Sequence, residues 1–129
     1  MIVVDSSVWV AAFRDREGAE AGRLAELLEE KIVALPVPVR IELLSGTPRR
    51  HFATMRQSLS ALPSLVPERE TWRRVEGWVA EAKAAGHRFG GADLLIAATA
   101  ADHGASIWSL DADFARMQKL GFVEICAAP

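Results

Sequence analysis

Apolar and polar positions follow two alternating rhythms along the chain. Short runs rich in Ile and Val occur at Ile2-Val3-Val4, Ile32-Val33-Ala34-Leu35, Ser106 to Leu110 and Phe122 to Ile125. Unbroken apolar runs of this length predict strands buried on both faces. Between them the apolar positions recur every three or four residues, the spacing of an amphipathic helix. Asp5-Ser6-Ser7 is a good helix opening and leads into a short helix through Val8, Trp9, Ala12 and Phe13. Gly18 to Glu30 puts Ala21, Leu24, Leu27 and Leu28 on one face. Pro36 and Pro38 end the second strand, and Pro38 suits the first turn of a helix running to Gly46. Arg49 to Leu62 carries Phe52, Met55, Leu59 and Leu62, and Glu68 to Ala85 carries Trp72, Val75, Val79 and Ala82. Gly91 to His103 is rich in Ala and Leu, and Asp111 to Leu120 is the last predicted helix. Gly86, Gly104 and Gly121 stand where three of these helices should stop.

Strands separated by helices pair in parallel through right-handed crossovers. The expected class is therefore α/β, a central parallel sheet with helices on both faces. There is no internal repeat, low-complexity segment or linker, and 129 residues suit one domain, 1–129. Half the residues are hydrophobic and 25% are charged, a globular composition. Cys126 is the only cysteine, which excludes disulfide scaffolds and cysteine-rich zinc modules. No signal-peptide pattern and no membrane-length apolar run is present, so the expectation is a cytoplasmic protein with no membrane partner. The formal net charge of −2 lacks the strongly basic footprint of a nucleic-acid binder. Any action on nucleic acid must rest on a local basic patch or a bound cation.

Parallel α/β sheets build their sites beyond the carboxyl ends of their strands. Asp5 directly follows the first strand, and Asp111 the third, with Asp113 two residues on. Asp93 opens the Ala/Leu-rich helix after Gly90-Gly91, and Glu42 lies between Ile41 and Leu43-Leu44. Taken singly, Asp5, Asp93, Asp111 and Asp113 read as helix caps or first-turn acids, and Glu42 as a solvated helix residue. Their joint placement argues otherwise. Carboxylates gathered at one rim repel each other, and a divalent cation relieves the repulsion. Oxygen-only ligands favour Mg2+ or Mn2+ over zinc. His51, His87 and His103 have no ligand-spaced partner and are expected at the surface.

The ordered set Ile2-Val-Val-Asp5-Ser-Ser-Val8, Glu42, Asp93-Leu-Leu-Ile-Ala-Ala98 and Trp108-Ser-Leu-Asp111-Ala-Asp113-Phe114 resembles the acidic motifs of PIN-domain ribonucleases. Within that family, the length and the near-terminal first motif resemble VapC-type toxins of bacterial toxin–antitoxin modules. The resemblance spans essentially the whole chain. It implies a PIN-like, Rossmann-like three-layer fold and a Mg2+- or Mn2+-dependent endoribonuclease. It carries over Asp5, Glu42, Asp93 and Asp111 as the catalytic acids, with Asp5, Asp93 and Asp111 as metal ligands. Glu42 would complete the coordination through water or orient the nucleophile. Asp113 matches an extra acid of variable role, and Ser7 and Ser109 match hydroxyl positions that support the carboxylates. The implied partners are RNA, a VapB-like antitoxin and a second copy of the chain.

The implied chemistry is attack of water on a phosphodiester, which needs neither the ribose 2′-hydroxyl nor a catalytic histidine. Arg49, Arg50, His51 and Arg56 form one candidate track for a phosphate backbone, and Arg69, Arg73, Arg74 and Arg88 a second, although solvated helix faces explain both equally well. Trp72, on its apolar stripe, and Trp108, in its strand, are expected in the core, whereas the pattern leaves Trp9 and Trp78 unplaced. Three other readings compete. A haloacid-dehalogenase-like phosphatase would carry a second Asp where Ser7 stands. A non-catalytic binding module would have lost one of the acids. A PIN nuclease of RNA maturation would act without an antitoxin.

Overall fold

The computed structural model describes residues 1–126. Its centre is β1 (Ile2–Val4), where Val3 and Val4 are fully buried. β2 (Val33–Pro36) and β4 (Ser106–Trp108) flank it, and β3 (Ser64–Leu65) lies outside β2. The order is β3-β2-β1-β4, and every pairing is parallel. Val3 is in register with Ala34 on one side and Ile107 on the other, and Val4 with Trp108. The chain steps outward from β1 to β3, then crosses back to place β4 on the far side of β1. With right-handed crossovers, such a reversal sends the connecting helices to opposite faces and opens a crevice at the carboxyl ends of β1 and β4.

The helices are α1 (Ser6–Arg14), α2 (Ala19–Glu29), α3 (Val37–Ser45), α4 (Phe52–Leu59), α5 (Arg69–Ala84), α6 (Gly91–Asp102) and α7 (Ala112–Lys119). A 3-10 turn over Arg49–His51 precedes α4, so the single helix expected from Arg49 is split. Leu94, Ile96, Ala97, Ala98 and Ala100 of α6 are at most 1% exposed. This helix is buried nearly all round, among α3, α5, β2 and β4. Its alanines permit that close approach, and Thr99 satisfies its hydroxyl by donating to Leu95 O at 2.7 Å. The rigid, buried body of α6 fixes the position of its first turn, where Asp93 stands.

Gly86, Gly104 and Gly121 adopt φ of +79°, +64° and +78° and close α5, α6 and α7 as expected. At each, the next N–H reaches the carbonyl five residues back, for example His87 N to Ala82 O at 2.8 Å. Lys31 fills the same left-handed position after α2, with φ of 60° and no glycine to ease it.

Three expectations need correction, and one strand had no counterpart in the sequence pattern. The strand expected over Ser106–Leu110 ends at Trp108, because Ser109 turns into the site described below. The fourth expected strand, Phe122–Ile125, is reduced to a single parallel bridge between Ile107 and Ile125. Phe122 and Val123 are buried by packing instead, and Phe122 stacks on Trp78 at 4.4 Å. β3 was not foreseen: its two residues, Ser64 and Leu65, are too few to carry a pattern. Trp72 is 55% exposed, not core, because the inward face of α5 runs through Thr71, Val75, Trp78 and Ala82: Val75 and Ala82 face inward as expected, but Thr71 and Trp78 take the places expected of Trp72 and Val79.

Candidate functional site

The crevice between β1 and β4 collects the acids. Asp5 N donates to Trp108 O at 2.9 Å, extending the β1–β4 ladder by one residue. Asp5 then caps α1, and Trp9 of that helix donates its indole N–H to Val4 O at 3.1 Å, tying the helix to the strand end. Only 4% of Asp5 is exposed. A carboxylate so buried is costly unless hydrogen-bonded. Its Oδ2 accepts from Ser7 Oγ at 2.7 Å, Ser109 Oγ at 2.8 Å and Ser7 N at 3.4 Å. Each hydroxyl is itself oriented by a backbone N–H: Leu110 N donates to Ser7 Oγ at 3.1 Å, and Asp111 N to Ser109 Oγ at 3.0 Å. The two serines thus fix which way the Asp5 carboxylate points, the supporting role implied by the resemblance.

Asp111 caps α7, its Oδ1 accepting from Asp113 N at 2.9 Å. Asp93, Asp111 and Asp113 each offer a carboxylate oxygen, and these oxygens lie within 4.8 Å of one another. Asp5 is not one of this trio. It sits beside it: burial raises the Asp93 pKa to about 6, and the charges of Asp5, Asp111, Glu42 and Asp113 add to the rise. Glu42 projects from α3, where Ser6 Oγ donates to its Oε1 at 3.4 Å. Its pKa is raised by desolvation and by Asp5, and lowered in part by the Ser6 hydrogen bond. All five acids named from the sequence therefore interact across one crevice, although they come from four separate stretches of chain.

The donor set is all oxygen and mutually repulsive, and with burial it raises the proton affinity of Asp93. That is a site short of positive charge, and it fits a hard divalent cation. Asp93, Asp111 and Asp113 bring carboxylate oxygens together, and Asp5, whose side-chain hydrogen bonds all fall on Oδ2, and Glu42 border them. The histidines lie outside the trio. His51 and His103 are exposed, and half-buried His87 stacks on Phe89 with ring centres 5.5 Å apart.

Sequence reasoning missed two contacts. Ser6 reaches Glu42, and the only signal was its place beside Asp5. Arg116 donates to Asp113 Oδ1 at 2.7 Å, and the spacing of three on a helix was its signal. Of the arginines considered for RNA, Arg49, Arg50 and Arg56 are exposed, whereas Arg73 pairs with Glu70 and Arg74 with Asp102. No helix among the described residues is long and apolar enough to cross a membrane.

Residues 2–120 match the description of the PIN domain. Ribonuclease VapC11 of Mycobacterium tuberculosis is 36% identical over 119 residues, covering 88% of this chain and 89% of that protein. Among solved structures, FitAcB from Neisseria gonorrhoeae is similar at a TM-score of 0.81 and 21% identity, covering 99% of this chain and 98% of the other. VapBC-5 from Mycobacterium tuberculosis, a member of the VapBC family of toxin–antitoxin systems, gives 0.65 and 25%, covering 95% and 94%. The motif order, the crevice of acids and these likenesses agree: the chain belongs to the PIN-domain family, among the VapC ribonucleases.

Proposed function

We propose that this VapC-class ribonuclease is an endonuclease that hydrolyses RNA phosphodiesters with Mg2+ or Mn2+, and that it is the toxin of a cytoplasmic toxin–antitoxin pair. The observation that supports this most is the meeting of Asp5, Glu42, Asp93 and Asp111 in one crevice, with Asp113 beside them. A divalent cation bound there supplies Lewis-acid polarisation of the phosphate and lowers the pKa of water. Asp5, Asp93 and Asp111 would hold it, and Asp113, whose carboxylate lies with those of Asp93 and Asp111, is placed to add a further oxygen. Ser7 and Ser109 hold Asp5 through its Oδ2 and fix the direction of its carboxylate. Glu42, with its raised proton affinity, orients the attacking water and accepts its proton. The expected products carry a 5′-phosphate and a 3′-hydroxyl.

The relationship to VapC11, and the VapBC-5 fold, support a VapB-like antitoxin as partner; the homodimer implied by the family resemblance is taken as the working unit. An apolar groove of about 570 Å³ between α1, α2 and α4, lined by Trp9, Phe13, Leu28, Met55, Leu59 and Leu62 among others, offers a surface to such a partner. The reading takes residues 1–129 as one domain. It is tested by inducing the chain briefly without a partner and sequencing cellular RNA ends. New 5′-phosphate ends and growth arrest, both lost in Asp5→Asn, are expected. Cleavage without arrest would favour a role in RNA maturation, and no new ends would reject the nuclease reading.

A further inference from the structure

Arg116 is the one cation hydrogen-bonded to the acidic trio among the described residues. We infer that Arg116 is a substrate-binding residue that contacts an RNA phosphate at the lip of the crevice. This rests on the nuclease reading above. The side chain projects from α7, is 51% exposed, and gives Nη1 to Asp113 Oδ1 at 2.7 Å. A guanidinium has five N–H donors, and this is the one side-chain bond Arg116 makes among the described residues. The others remain for a second acceptor. Asp113 anchors the group beside the trio, and the planar fork of the half-exposed guanidinium matches phosphate oxygens.

Stability does not account for the pair. Exposed pairs three residues apart on a helix contribute little to folding, roughly 0–1 kcal/mol. Arg23 with Glu26 and Arg73 with Glu70 have the same spacing away from the trio. What separates Arg116 is that its carboxylate partner is also a candidate cation ligand. A chain of net charge −2 that must attract a polyanion gains most from a cation fixed beside the reaction centre.

The test uses the full chain carrying Asp5→Asn, so that RNA is bound but not cut, with Mg2+ present and a short mixed-sequence single-stranded RNA as probe. Adding Arg116→Ala should weaken binding roughly fivefold and reduce the slope of log K against log salt by about 0.7, one phosphate contact. Arg116→Lys should restore part of the affinity, and Arg23→Ala should change nothing. In the otherwise native chain without RNA, Arg116→Ala should not weaken Mg2+ binding. Unchanged RNA affinity and salt slope would overturn the assignment. So would a parallel loss of Mg2+ affinity, since Arg116 would then act only by positioning Asp113. Native protein that neither binds nor cuts RNA would instead reject the nuclease reading itself.

Discussion

Two hydroxyls decide what a single buried carboxylate can do here. Ser7 and Ser109 both donate to Asp5 Oδ2. Hydrogen bonds to a charged acceptor contribute about 1.5–3 kcal/mol each, more than neutral ones. Replacing both serines by Ala leaves a 4%-exposed carboxylate with fewer donors. The double variant should lose about 3–6 kcal/mol of stability, read by urea unfolding, on the scale for two such bonds. It should also bind Mg2+ less tightly. Asp93 gives a prediction with a sign. Its pKa is raised to about 6 in the folded, cation-free protein, so the proton stabilises the fold. That contribution is complete below the ordinary Asp pKa and disappears as pH rises through about 6. Cation-free protein should therefore lose stability between about pH 4 and pH 6 from this group, and Mg2+ affinity should rise over the same interval as the competing proton leaves. Calorimetric titration at pH 5 and pH 7 checks this. Asp93→Asn should flatten both trends.

Among the elements, local pattern and tertiary packing part company at identifiable places. The β-branched runs and the three glycine stops were legible because each is dictated by a few adjacent residues. The full inward face of α5 was not. Trp72 and Val79 look like core in sequence, yet the Thr71 hydroxyl turns the helix inward by bonding Asp102 at 2.5 Å and accepting from Glu68 N at 3.0 Å. A threonine on the buried face is invisible to a count of apolar spacings. Trp78→Ala should accordingly cost about 3–5 kcal/mol, while Trp72→Ser should stay within about 0.5 kcal/mol, by thermal or urea denaturation of each variant. β3 and the lost fourth strand were illegible for a different reason: strands of one or two pairings depend on what lies beside them. Lys31 offers a gain. Glycine at its φ of 60° removes the clash of a Cβ in the left-handed region. Lys31→Gly should stabilise the protein by roughly 0.5–1 kcal/mol after the entropy of glycine is subtracted, seen as a higher melting temperature.

At the scale of the whole molecule, the strand order does what no single motif can. β1 and β4 are far apart in sequence, and the reversal of direction makes them neighbours, so Asp5 and Asp111 leave the sheet side by side. The buried α6 brings Asp93 to the same place, and α3 brings Glu42. The sequence showed which acids follow strands, and hence the rim where they gather. It did not show that Asp113 would stand with Asp93 and Asp111, because that depends on how α6 and α7 meet, nor that Ser109 would clasp Asp5, because those two are 104 residues apart. The account stands on these carboxylates acting together through one divalent cation. Its most direct test is cleavage of a defined RNA by purified protein with Mg2+, with and without excess chelator, followed by analysis of the cut ends. The account predicts 5′-phosphate products that vanish on chelation, return with added Mg2+, and fall at least about a hundredfold in Asp93→Asn, in keeping with loss of a metal-site carboxylate. Cleavage that persists in chelator, or that survives Asp93→Asn at the native rate, would contradict it.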